Sequence, residues 1–200
     1  MNISKAIRKY FRSKPPFKIT LDMLFYILIL SLILPFSRKY VATGLNKLVM
    51  HRPAIIREEK QEILEPDDYN WVLVDMEGEQ VPFSRFRNET VFLSFWATWC
   101  PPCRAEMPNI QRLYQEFGEE LRFVLASNED IGVLQGYLDQ TGFQIPVYRM
   151  VQNPPEKLQV SNIPTTFLIG PDGQIRVRKT GAARWDGRFF KEYLSKTLME

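Results

Sequence analysis

Apolar residues along this chain fall into three kinds of run, and each kind predicts a different element. The first runs from Met23 to Phe36 and is almost unbroken, with Ser31 its only polar residue. Counted from Ile19, with Asp22 near its start, a helix over 19–36 spans about 27 Å at ~1.5 Å per residue. That is short, but long enough to cross a hydrocarbon core of ~30 Å. The second kind has strand length. Thr90–Phe95 and Leu121–Ala126 are nearly continuous, as strands buried on both faces are. Thr165–Ile169 is similar. It is followed by the turn Pro171–Asp172–Gly173 and an antiparallel return over Gln174–Lys179. Trp71–Val74 and Val81–Phe83 predict a hairpin about the turn at Glu77–Gly78–Glu79. The third kind has helical spacing. From Pro101 to Phe117, residues Met107, Ile110, Leu113, Tyr114 and Phe117 share one face. Pro108 is expected to kink this helix and Gly118 to stop it. Asn128, Glu129 and Asp130 offer caps for a helix reaching about Gln140. A last helix from about Asp186 to Leu198 presents Phe189, Phe190, Tyr193 and Leu194 as its core face. Strands alternating with helices predict an α/β sheet with helices on both faces.

Charge changes the reading of the first run. Residues 1–18 carry Lys5, Arg8, Lys9, Arg12, Lys14 and Lys18 and no acidic side chain. Arg38, Lys39, Lys47 and Arg52 follow the run more sparsely, so the positive-inside rule places the N-terminus in the cytoplasm. A cleaved signal peptide would need a small-residue site, and Ser37–Arg38–Lys39–Tyr40 makes a poor one; a buried core helix is the other alternative. The expected organisation is a basic cytoplasmic tail over 1–18, a transmembrane signal anchor over 19–36, a juxtamembrane linker over 37–66 and an extracytoplasmic domain over 67–200. The formal net charge of +3 is too small to suggest nucleic acid as a partner.

The chain has two cysteines, Cys100 and Cys103, and one histidine, His51. Two cysteines so close cannot form a disulfide framework, so the pair needs a chemical explanation. They stand where a buried strand passes into a helix. There the free N–H groups and the helix dipole favour negative charge, which lowers the pKa of the first thiol and makes Cys100 the nucleophile. Cys103, one turn inside, then resolves the mixed disulfide by attacking the Cys100 sulfur. Pro101 and Pro102 suit a helix start but carry no N–H. They leave few donors around the sulfur, which argues for a reducing pair. Half of a zinc site and an inert surface disulfide are the competing readings; zinc would need about four protein ligands, and no second pair of cysteines exists. No metal and no cofactor are expected. Glu106 lies three residues after Cys103, on the same helical face. Spacing alone leaves two readings open, a solvent-facing glutamate and a buried carboxyl that takes the proton of Cys103.

Phe95-Trp96-Ala97-Thr98-Trp99-Cys100-Pro101-Pro102-Cys103-Arg104-Ala105-Glu106-Met107-Pro108 resembles the active-site signature of the TlpA/ResA-like thioredoxin family, membrane-tethered extracytoplasmic thiol–disulfide oxidoreductases. The resemblance covers residues 70–198. It implies a thioredoxin fold, a central mixed sheet flanked by helices, with an N-terminal β-hairpin extension. Ile163-Pro164-Thr165-Thr166-Phe167 is similar to the family's cis-proline segment. This implies a cis bond at Ile163–Pro164 facing the disulfide, and an Ile163 backbone that pairs with an extended substrate. The family's helical glutamate corresponds to Glu106. Ser94 stands where cytosolic thioredoxins keep a buried aspartate, and Gly170 where many members carry an acidic residue. Trp99 is expected to cover the disulfide beside the substrate groove, and Trp96 to pack in the core.

The expected catalytic residues are therefore Cys100, Cys103 and Glu106, and the expected substrate-binding residues Trp99, Pro101, Pro102, Ile163 and Pro164. The function expected by resemblance is reduction of protein disulfides on the periplasmic side of a bacterial inner membrane. A membrane electron donor or redox partner protein would re-reduce the pair, and apocytochrome cysteines in cytochrome c maturation are one substrate the resemblance implies. The alternatives are an oxidase or isomerase using the same cysteines, and a non-catalytic thioredoxin-fold binding module.

Overall fold

The computed structural model describes residues 15–33, 53 and 62–199. The first unit of the chain contributes one described helix, α1 (Pro16–Ile33). Along it the side chains of Phe17, Leu21, Met23, Leu24, Phe25, Tyr26 and Ile27 are exposed. Among the described residues no helix is long and apolar enough to cross a membrane. The expected span over 19–36 extends past the described residues, and most of the 1–18 tail, most of the 37–66 linker and His51 also lie outside them.

The second unit is built on a seven-stranded sheet. Its strands are β1 (Val72–Val74), β2 (Gln80–Pro82), β3 (Val91–Phe95), β4 (Arg122–Ser127), β5 (Val147–Met150), β6 (Thr165–Ile169) and β7 (Ile175–Thr180). The spatial order is β2-β1-β5-β4-β3-β6-β7. β3, β4 and β5 are mutually parallel, while β6, β7 and the β1–β2 hairpin run antiparallel to their neighbours. The expected mixed sheet and N-terminal hairpin extension are therefore both present. The helices are α2 (Pro101–Phe117), α3 (Ile131–Thr141) and α4 (Arg188–Leu198).

Side chains alternate across the central strands with the period of two that a pleated sheet imposes. Phe92, Phe123, Leu125, Leu168 and Val177 enter one core, together with Met107, Ile110 and Leu113 of α2, Leu134 and Tyr137 of α3, and Phe190 and Leu194 of α4. Val91, Leu93, Phe95, Val124, Ala126, Phe167 and Ile169 enter the other. Apart from Ala105, the buried apolar side chains of α2, α3 and α4 belong to the first core. The second is closed instead by aromatic residues on short turns and loops: Tyr69, Trp71, Phe83 and Phe86, with Leu158. Trp71, Phe83 and Phe95 lie in ring contact there. Large flat rings cover a sheet face without helical spacing, so apolar periodicity cannot announce them.

α2 has the expected bounds and runs unbroken through Pro108. Gly118 stops it where a Cβ would sit 2.6 Å from the Tyr114 carbonyl oxygen. On α4 the phase differs from expectation: Phe190 and Leu194 are buried, but Phe189 is exposed. At the described end of the linker, Ile175 N–H bonds to the Glu62 carbonyl and Leu64 N–H to that of Gly173, which ties residues 62–64 along β7.

Candidate active site

β3 ends at Phe95, and the chain turns through Ala97–Trp99 before α2 begins. Cys100 is the N-cap of α2, and its sulfur accepts the N–H of Cys103 at 3.3 Å. Pro101 and Pro102 fill the next two positions. Of the first three helical N–H groups, only that of Cys103 therefore exists to face the sulfur. Cys100 and Cys103 are joined in a disulfide with Cα atoms 5.3 Å apart, and both residues are buried. The turn before them is held from the side by Glu129. Its carboxylate accepts the Thr98 N–H and the Thr98 hydroxyl, each at 2.7 Å, and the Ser127 hydroxyl at 3.3 Å. Glu129 was expected as a helix cap. The N-cap of α3 is Asp130, whose side chain makes no capping bond and pairs with Arg149 at 3.1 Å.

Opposite the disulfide lies the segment before β6. The Ile163–Pro164 bond is cis, as the resemblance implies, and the Ile163 carbonyl oxygen is 3.8 Å from the Cys100 sulfur. Trp96 is buried, as expected of a core residue, and Trp99 is 68% exposed in the turn just before Cys100. Pro101 and Pro102 are half-buried. Beneath the site Ser94 and Thr166 share a buried hydrogen bond of 2.8 Å across β3 and β6, a neutral pair where cytosolic thioredoxins keep the aspartate.

Glu106 is only 1% exposed, which excludes the solvent-facing reading. Its Oε2 accepts the backbone N–H of Ala183 and the indole N–H of Trp185, each at 3.0 Å. Oε1 is buried with no hydrogen-bond partner among the described residues. Burial pushes the carboxyl up to about 8, against the opposing pull of the two N–H donors and the more distant Lys179. A carboxyl raised this far ionises near neutrality and not in the ordinary acidic range, so it can exchange a proton there. Ala183 and Trp185 follow β7 in a segment where the sequence offered no functional signal.

The AhpC/TSA family matches residues 68–178, more than half of the chain. The chain belongs to that family. Within it the likeness is to ResA-type thiol–disulfide oxidoreductases. The thiol–disulfide oxidoreductase ResA of Bacillus cereus is 32% identical over 141 residues, covering 68% of this chain and 79% of that protein. ResA of Halalkalibacterium halodurans is 36% identical over 115 residues, covering 56% of this chain and 65% of its own length. Among solved structures, a thiol:disulfide interchange protein of the thioredoxin family from Chlorobium tepidum superposes with a TM-score of 0.53 at 22% identity, over 74% of this chain and 98% of that one. This likeness establishes a thioredoxin-like fold for the AhpC/TSA-family domain.

Proposed function

We propose that this chain is an extracytoplasmic protein-disulfide reductase, working through Cys100 and Cys103 with Glu106 as the proton acceptor. One observation carries the reading: a cysteine pair caps the helix that also buries a titrating carboxyl one turn further in. The reduced pair begins the cycle. The Cys100 thiolate attacks a substrate disulfide, one substrate sulfur leaves, and a mixed disulfide forms. Cys103 then loses its proton to Glu106 and attacks the Cys100 sulfur. The bond from Cys100 to the substrate breaks, the second substrate sulfur leaves, and the Cys100–Cys103 disulfide closes. Two electrons have passed to the substrate, and the proton held by Glu106 is released to it or to solvent.

The Ile163 backbone, whose carbonyl oxygen is 3.8 Å from the Cys100 sulfur, would hold an extended substrate segment together with Pro164, Pro101, Pro102 and Trp99. Apocytochrome cysteines are one such substrate by family resemblance. The span over 19–36 would anchor the domain of 67–200 to the membrane by way of the 37–66 linker. A membrane electron donor on the same side would restore the dithiol. The rival direction, disulfide formation, uses the same atoms in reverse.

The deciding experiment equilibrates the full chain against dithiothreitol or glutathione and reads its reduction potential. A value of about −270 mV or lower supports the reductase; a value near about −120 mV makes the protein an oxidant and overturns it.

A further inference from the structure

We propose that Trp185 is a positioning residue for Glu106, saturating Oε2 together with the Ala183 N–H and so assigning Oε1 as the atom that takes and returns the proton of Cys103. The inference rests on the proposed role of Glu106 and adds to it a residue and an atom that the function does not by itself supply.

Both donors converge on one oxygen, each at 3.0 Å. An N–H can donate but cannot accept, so a proton on Oε2 would point at two hydrogens. The neutral carboxyl therefore carries its proton on Oε1, the oxygen without a partner among the described residues. A carboxyl torsion is broad by itself; two N–H groups on one oxygen hold it in a single orientation. Helical side chains lean toward the helix N-terminus, which directs Glu106 back over the turn that contains Cys103. Trp185 is well placed to act as an anchor. It is fully buried, with its ring edge-on to Phe92 and Phe190 at centroid distances of 5.0 Å each. The groups that act electrically on this carboxyl are the Ala183 N–H, the Trp185 indole and Lys179 of β7, with Cys103 one turn away on α2.

Because both donors stabilise the ionised carboxyl, losing the indole N–H makes Glu106 a base only at higher pH. The test uses the reduced full chain and 5,5′-dithiobis(2-nitrobenzoate). The first thiolate released marks attack by Cys100; the second marks attack by Cys103 on the resulting mixed disulfide. Trp185→Phe keeps a ring and removes the N–H. The midpoint of the second phase against pH is expected to rise by roughly one to two units, the equivalent of one charge-assisted hydrogen bond. Phe190→Leu, which loosens the same ring without touching the hydrogen bond, is expected to lower stability and leave the midpoint in place. An unmoved midpoint in Trp185→Phe, with stability lost as in Phe190→Leu, overturns the proposal and leaves Trp185 a packing residue.

Glu106→Gln separates the two levels of the argument. If it leaves the second phase unchanged, the proton-acceptor reading of Glu106 itself fails. If it removes the transition while Trp185→Phe does not move it, only the role of Trp185 fails. Should Trp185→Phe not fold, the unsubstituted chain labelled with 15N-tryptophan serves. Its Trp185 indole resonance is expected to shift through the same midpoint and to lose that shift in Glu106→Gln; an indole indifferent to the transition overturns the proposal.

Discussion

Glu106→Gln removes a titrating group while keeping an oxygen that can accept from Ala183 and Trp185, so its effect on stability isolates the burial of the carboxyl. The unfolded chain ionises this group at its ordinary 4.5, the folded chain at about 8. Between those values the folded state binds more protons than the unfolded state, so stability falls as pH rises. The contribution is fully present below 4.5 and is lost as pH passes through the folded value. A displacement of about 3.5 units at ~1.36 kcal/mol per unit is worth on the order of 5 kcal/mol, a large share of a typical domain's ~5–15 kcal/mol. Urea unfolding of the oxidised full chain at a series of pH values measures it. Fluorescence reports on the folded domain, because the four tryptophans are residues 71, 96, 99 and 185. The wild-type chain is expected to lose several kcal/mol relative to Glu106→Gln between about pH 5 and pH 9, whatever the other carboxylates contribute in common. Parallel curves for the two proteins would mean that Glu106 ionises in the fold as it does in water, and the proton-acceptor argument would end there.

Cys103→Ser is expected to accumulate a mixed disulfide between Cys100 and a model disulfide substrate, and Cys100→Ser to react with none; intact-mass spectrometry distinguishes them. Glu129→Ala removes a carboxylate that accepts three hydrogen bonds around Thr98. It should cost about 1.5–3 kcal/mol in urea unfolding, the range for a hydrogen bond to a charged group, and slow attack by Cys100. Trp99→Ala touches an exposed side chain and should leave stability within about 0.5 kcal/mol while raising KM for a protein substrate. Leu113→Ala, at a fully buried position of α2, should cost about 2–5 kcal/mol through the cavity it leaves without altering the pH dependence of Cys103 attack.

What was legible in the sequence follows from where the physics is local. The helix over Pro101–Phe117 could be read to the residue because prolines begin it and a glycine ends it. β6 showed itself as five apolar or small buried residues in a row. β5 did not, because only Val147 of its four residues is fully buried. What makes it a strand is pairing to β4 on one side and β1 on the other, which no short window contains. Two adjacent aromatic residues, Phe189 and Phe190, fit either rotation of α4; the rotation that buries Phe190 against Trp185 prevails and leaves Phe189 exposed. The cysteines and Glu106 were found from spacing and from resemblance. The partner of Glu106 was not, since Trp185 is 79 positions away in sequence and an indole in a loop is usually core. Of the three cap candidates before α3, Asp130 is the N-cap, while the carboxylate of Glu129 bonds to the turn before α2, a partner no local pattern announces.

The way these pieces divide the stabilisation of charge favours the reducing direction proposed above. A helix N-terminus favours a thiolate through free N–H groups, and a strongly stabilised thiolate favours the reduced form and makes an oxidant. Here two of the three nearest positions are prolines, the remaining donor is the Cys103 N–H at 3.3 Å, and a carbonyl oxygen faces the same sulfur from Ile163. The helix start therefore offers Cys100 less than an unsubstituted turn would, and the closed disulfide is correspondingly favoured. Cys103 is buried as well, so its thiolate is costly without a nearby base, and supplying that base is the role proposed for Glu106 on the same helix. A reductase is served by a first sulfur stabilised this little; an oxidase would need it stabilised where this helix removes its donors.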